Sequence, residues 1–200
     1  MKKILLVILG GFILQTSSAQ SGSFIISYPI GFPMGDLGDY IDKTSWRGLS
    51  MEFYKAVKPG VQVGLELSMN LFYAKEDVKT YTEGTQSITG IQYRHTDAFP
   101  ILAAAKWTKP GKTASPYLGL GIGTLYVNRW TDFGLYRISN DTWQFLLRPE
   151  AGVFLGINSS MSVMLGAKYN AGFKTNDLDG QSYLSINVGL VFWKGTPQYK

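Results

Sequence analysis

The chain has 200 residues, 19 of them basic and 14 acidic, a formal charge of +5 and no cysteine. That is one domain's worth of chain with no disulfide framework, and its charge excess is too small and scattered for a nucleic-acid footprint. Charged residues make up 16% and aromatic residues 14%, with 23 glycines, whereas soluble domains carry roughly 25% charged residues, so the balance fits a surface facing lipid.

Met1-Lys2-Lys3 is a basic head, residues 4–14 are an apolar run broken at Gly10-Gly11, and Ser17-Ser18-Ala19 supplies the small residues a signal peptidase reads. The pattern predicts a cleavable signal peptide over residues 1–19 and a mature domain over residues 20–200. A membrane-spanning helix would need about 20 apolar residues, roughly twice the run present. Cleavage removes Lys2 and Lys3 and takes the charge from +5 to +3. The absence of cysteine also excludes a lipid-modified amino terminus.

Eight alternating segments follow, at about residues 24–32, 46–57, 61–73, 91–107, 116–130, 142–156, 161–173 and 182–193. In 61–73 every odd position is apolar or aromatic and every even position except Phe72 is polar or glycine; 184–190 repeats the pattern, as does 163–169 with Met164 excepted. A period of two describes a strand with opposite faces. No stretch after the leader is apolar enough for a transmembrane helix, so a membrane-embedded chain must close its sheet. The predicted fold is all-β, an eight-stranded antiparallel up-and-down transmembrane β-barrel.

The connections at Lys58-Pro59-Gly60, Lys109-Pro110-Gly111 and Asn158-Ser159-Ser160 are compact, and the Pro-Gly pairs fit type II turns. Residues 33–45, 74–89, 131–141 and 174–181 read as longer polar loops, so long and short connections alternate as extracellular loops and periplasmic turns do. Both chain ends then fall on the periplasmic side.

Alternation alone does not separate a membrane barrel from a soluble ligand carrier, but the polar face does. It is mostly Gly, Ser, Asn and Gln, as at Gly119, Gly121, Gly123, Ser185, Asn187 and Gly189, the small residues a narrow eight-stranded interior accommodates. The opposite parity, exemplified by Ile26, Phe53, Leu67, Leu120, Phe145 and Leu190, is expected to face lipid. Trp46, Trp107, Trp130, Trp143 and Trp193 fall at or near strand ends and form a predicted membrane-interface girdle, although Trp46 and Trp193 have inward parity.

Inward parity also collects Glu52, Glu66, Lys106, Arg148, Glu150 and Lys168. Three acids and three bases in a closed lumen are expected to interleave as a neutral network that plugs it, because an unpaired buried charge costs several kcal/mol. Mixed signs argue against a selectivity ring. His95 is the only histidine, so no multi-histidine metal site is expected. A serine-histidine-acid arrangement would draw on Ser87 and on Asp97 or Glu83, which are near it in sequence only, and no Gly-x-Ser-x-Gly elbow occurs. No catalytic residue, metal or cofactor is assigned. Arg94, Arg129, Arg137, Lys75, Lys79 and Lys174 cluster toward outer strand ends, interspersed with Asp77, Asp97, Asp132, Asp177 and Asp179, and read equally as lipid-phosphate contacts or as ordinary polar loops.

The leader ending Ser17-Ser18-Ala19-Gln20, the strand over 27–33 running into an Asp-rich loop, the run Tyr117-Leu118-Gly119-Leu120-Gly121-Ile122-Gly123 and the last strand with Phe192 carry a resemblance. Over residues 20–193 the chain resembles the small, porin-like outer-membrane β-barrel domain proteins common in the Bacteroidota, comparable in size to OmpX, OmpW and the OmpA membrane domain. One departure is that residues 194–200 follow the final aromatic strand, where many such barrels end. The resemblance implies an outer-membrane location, lipid including lipopolysaccharide and the barrel-assembly machinery as partners, and a monomer. The expected function is non-enzymatic, as a structural, adhesive or surface-interaction protein at the cell surface. A narrow channel for small or apolar solutes and a lipid A-modifying enzyme are the alternatives.

Overall fold

The computed structural model describes residues 21–194 apart from 84, 85, 112 and 135. The expected signal peptide therefore lies outside the described residues. Among the described residues ten strands form: β1 (Gly22–Met34), β2 (Gly48–Lys58), β3 (Val61–Lys75), β4 (Lys79–Glu83), β5 (Gln86–Gly90), β6 (Gln92–Thr108), β7 (Ala114–Phe133), β8 (Tyr136–Gly156), β9 (Met161–Gly172) and β10 (Ser182–Lys194). Eight close into a barrel in the order β1-β10-β9-β8-β7-β6-β3-β2, every pairing antiparallel, while β4 and β5 form a separate hairpin. The fold is the eight-stranded up-and-down barrel. Among the described residues no helix is long and apolar enough to cross a membrane.

Closure follows from the alternation. Leu65, Leu67, Leu118, Leu120, Ile122 and Phe145 point outward and are exposed, while their chain neighbours point inward. Phe72 and Met164, the two breaks in the alternation, are inward and buried. Large interior side chains need small neighbours. Tyr117 lies in one row with Gly152 and Gly166, and a Cβ on either glycine would sit 2.7 or 2.4 Å from the Tyr117 hydroxyl.

The two ends of the described chain meet at one rim, the rim of the chain ends, where Gly22 pairs with Lys194. The same rim carries the connections between β2 and β3, β6 and β7, and β8 and β9; Gly60 takes a φ of +75° as a type II turn requires. The second Pro-Gly pair departs from that reading. Positive φ occurs at Gly35, Gly60 and Gly134 among the described residues but not at Gly111, so Pro110 and Gly111 are not the central pair of a type II turn.

The opposite rim corrects two loop assignments. Residues 131–141 are not a loop: β7 and β8 continue to a tight hairpin at Phe133–Tyr136, with Gly134 at a φ of +60°. The ladder wins there because residues 127–133 and 136–142 pair without interruption. Residues 74–89 contain most of the β4–β5 hairpin. A short helix α1 (Gly35–Tyr40) folds the first connection over the mouth, burying Leu37 and Ile41 completely.

Candidate functional site

Two apolar layers occupy the barrel with a charged layer between them. At the rim of the chain ends, Ile25, Tyr54, Tyr117, Phe154, Val191 and Trp193 form one cluster. Toward the other mouth, Phe72, Leu102, Leu125, Leu146 and Tyr183 pack under Leu37 and Ile41 from the first connection and Leu178 from the last.

The structure brings Glu52, Glu66, Lys106, Arg148, Glu150 and Lys168 together in the middle layer, all buried. Lys106 Nζ lies 2.5 Å from Glu52 Oε2 and 3.3 Å from Glu150 Oε1, and Arg148 pairs with Glu66. Lys168 Nζ lies 2.6 Å from Glu52 Oε1 and 3.5 Å from Glu150 Oε2, and pairs with Glu66. Register explains part of this arrangement. Glu150 faces Lys168 across the β8–β9 ladder, and Gly119 lies between Lys106 and Glu150, where a Cβ would meet Glu150 Oε1 at 2.4 Å. Glu52 and Glu66 are directly opposite each other on β2 and β3, a repulsive pair for neighbouring strands. Lys168 relieves it by reaching across the lumen from β9.

The aromatic layer completes the solvation of Lys106, whose ammonium lies 4.6 Å from the Tyr54 ring centroid and 5.0 Å from that of Tyr117. Ser50 donates to Glu66 Oε1 at 3.1 Å. The three carboxylates offer oxygens within 4.8 Å of one another, a spacing compatible with a metal ion. Lys168 touches all three, so its ammonium holds the position a cation would take.

Trp107 and Trp143 are outward and exposed, and Trp130 is outward and partly covered; Trp46, expected inward by parity, is instead 64% exposed, because it precedes β2, which begins only at Gly48. Trp193 is not part of that girdle: it points inward, is 9% exposed, and donates from Nε1 to Ser162 Oγ at 3.0 Å. Its parity, not its nearness to the chain end, sets its face.

His95 is set in a row of outward rings. It stacks on Trp130 at 4.6 Å with planes 7° apart and leans on Tyr73 at 4.9 Å. The side chains of Glu83 and Ser87 lie outside the described residues, and Asp97 shares the outward parity of His95 two positions along β6.

The mouth opposite the chain ends carries contacts that sequence reading missed. Tyr40, closing α1, donates to or accepts from Thr131 Oγ1 at 2.5 Å and donates to Trp130 O at 3.2 Å. Arg129 lies over its ring at 4.0 Å and Arg94 at 5.2 Å, while Arg94 Nη1 donates to Tyr40 O at 3.0 Å. Gln181 accepts from Arg129, and Gln144 accepts from the Gln181 backbone. The inward parity of Arg94 and Arg129 was the available signal.

Beyond this closure, one side of the wall keeps rising. β9 pairs with β8 only from Leu146 onward, so from Tyr136 to Trp143 the ladder to β7 is the only strand pairing of β8 among the described residues. Tyr136 and Ile138 are 73% and 71% exposed there. Near the tip, Arg137 clasps Asp132 through Nε at 2.6 Å and Nη2 at 3.0 Å, and these hydrogen bonds hold the Asp132 carboxyl below its ordinary range.

No family model matches this chain, and no curated protein sequence is similar to it. Its fold class is nonetheless that of small outer-membrane barrels among solved structures. Ail, the attachment invasion locus protein of Yersinia pestis, in complex with the heparin analogue sucrose octasulfate, superposes with a TM-score of 0.54 at 14% identity, covering 88% of this chain and 99% of Ail. Neisserial surface protein A superposes with a TM-score of 0.53 at 12% identity, covering 88% of this chain and 97% of that one. At these identities the likeness is one of fold.

Proposed function

We propose that this protein is an integral outer-membrane barrel, delivered by its leader, whose role at the cell surface is non-enzymatic interaction with another polypeptide. The spacing of two outward rows supports the membrane reading. The row Val61–Trp107–Leu118 and the row Tyr73–His95–Trp130 are twelve positions apart along β3 and β6. At 3.3 Å per residue and a tilt of about 40° that is about 30 Å, the height of an apolar band with its interfaces. Outward Leu65, Leu67, Ile101 and Ile122 lie between the rows.

The observation that carries the surface role is the unpaired edge of β8 from Tyr136 to Trp143 on the tall side of the barrel. Such an edge offers main-chain donors and acceptors to an incoming extended segment, and exposed Tyr136 and Ile138 offer side-chain contacts. Ail, which shares the fold, is named the attachment invasion locus protein and is seen in complex with a heparin analogue, sucrose octasulfate. Here the outer connections and strand ends hold eleven acidic and eight basic residues, a balance that favours polypeptide recognition over a polyanion.

The filled interior supports a structural rather than a conducting barrel, since two apolar layers and a neutral ion network leave no charged ring to select a solute. The test is cell attachment to matrix-coated surfaces by the full chain and by a variant whose ribbon is shortened between residues 131 and 140, alongside planar-bilayer conductance. Attachment lost with the ribbon and no steady current are expected. Unchanged attachment would reject the surface role, and a steady current would favour the channel.

A further inference from the structure

The charges of this chain are segregated along the barrel axis. Of the 14 acidic residues, Glu52, Glu66 and Glu150 are interior and the other eleven lie toward the outer mouth. The opposite end, comprising residues 54–61, 107–117, 153–163 and 191–194, contains no aspartate or glutamate. It carries Lys55, Lys58, Lys109 and Lys194, with Lys112 outside the described residues. No ion pair forms at these four lysines among the described residues.

Their placement is regular. Gly22 pairs with Lys55 on one side and Lys194 on the other, so two outward lysines flank a position with no side chain, two strand spacings or about 10 Å apart. Two residues deeper, Phe53, Phe24 and Phe192 form the next outward row, with ring centroids 4.9 and 6.2 Å apart. Farther round, Lys58 pairs with Val61, and Thr108 N donates to Gly60 O at 2.7 Å, which brings Lys109 beside the same turn. Above it lies an outward groove of about 300 Å³ lined by Val61, Ala105, Trp107, Leu118 and Leu120.

We infer that this lysine collar binds the phosphates of anionic phospholipids in the periplasmic leaflet, with acyl chains lying on the aromatic row and in the groove. The inference rests on the membrane reading, which places the rim of the chain ends in that leaflet. Unpaired ammonium groups directly below an apolar belt reach a lipid phosphate without leaving the interface, and each contributes attraction to an anionic surface. The acid-free rim supplies the charge complementarity. A zwitterionic lipid would gain less, because its own cation competes.

The mature chain would be examined by native mass spectrometry from mixed micelles containing dioleoyl-phosphatidylglycerol and dioleoyl-phosphatidylcholine. Retention of the phosphatidylglycerol should exceed that of the phosphatidylcholine by roughly tenfold, and fall to near parity when Lys55, Lys58, Lys109 and Lys194 are all changed to Gln. Lys43→Gln with Lys75→Gln, at the other mouth, should leave the preference intact. No preference in the parent, or one that persists in the four-lysine variant, overturns the inference. Binding of polyglutamate through the same lysines without lipid preference would assign the collar to an acidic polypeptide and also overturn it. Heat-modifiable folding into phosphatidylcholine vesicles reports on the membrane reading separately, so a barrel that folds there but shows no preference refutes the lysine collar alone.

Discussion

Lys168→Met removes the ammonium that joins Glu52, Glu66 and Glu150 while keeping most of the side-chain volume. The interior network then changes from three cations against three anions to two against three. Lys106 still serves Glu52 and Glu150, and Arg148 still serves Glu66, but the facing Glu52–Glu66 pair loses its shared counter-ion. Breaking a buried ion pair costs about 3–5 kcal/mol, because the surviving charge cannot recover its hydration. With a urea dependence of about 2 kcal/mol per molar, the unfolding midpoint in lipid vesicles should drop by about 1.5–2.5 M. Tryptophan emission would follow the transition. Adding Glu66→Gln removes half of the repulsive pair and should recover part of the loss, beyond the sum of the single effects. An unchanged midpoint for Lys168→Met would show that these carboxylates are hydrated, and would refute the account of a dry, neutral core.

Leu67, outward and 43% exposed midway between the Val61–Trp107–Leu118 and Tyr73–His95–Trp130 rows, should tolerate arginine poorly, with Leu67→Arg costing about 2–4 kcal/mol in bilayer refolding titrations. On intact cells a maleimide should label Asn140→Cys in the tall ribbon and spare Ser159→Cys at the opposite rim, and the reverse would invert the orientation. Lys174 holds the Asp179 carboxyl below its ordinary value of 3.8 through a 2.7 Å contact. A lowered folded value means that this contribution is present above the ordinary carboxylate range and is lost as pH falls through the lowered one. Protease resistance of residues 173–181 should therefore be flat from neutral pH down to about 4 and fall below it, with Lys174→Gln abolishing the acid-dependent component.

The eight strands of the barrel were legible because period-two alternation fixes a face for every residue, and a one-residue slip would turn each side chain to the wrong side. Even the exceptions carried information. Phe72 and Met164 interrupt the polar face because they are interior side chains of the two apolar layers. What alternation does not specify is where a strand stops. Residues 131–141 are polar enough to read as a loop, yet Arg129↔Asn140 and Asp132↔Arg137 are paired rungs of one ladder. Water satisfies polar side chains on an exposed ribbon as readily as in a loop, so polarity alone does not distinguish the two.

The members of the interior network were legible by parity, but their partners were not. Glu150 and Lys168 face each other on adjacent strands, whereas Lys168 meets Glu52 and Glu66 from across the lumen. Cross-lumen pairs depend on how far a long side chain reaches over a barrel whose width and stagger are set jointly by all eight strands, and no local spacing encodes that quantity. The same reason hides the closure of the outer mouth. Tyr40 comes between Arg94 and Arg129 only because α1 folds inward on Leu37 and Ile41, two apolar residues in an otherwise Asp-rich connection. Their complete burial shows which force closes the mouth: apolar side chains leave water for the barrel interior, and the polar contacts of Tyr40 then fix the position in which the connection comes to rest.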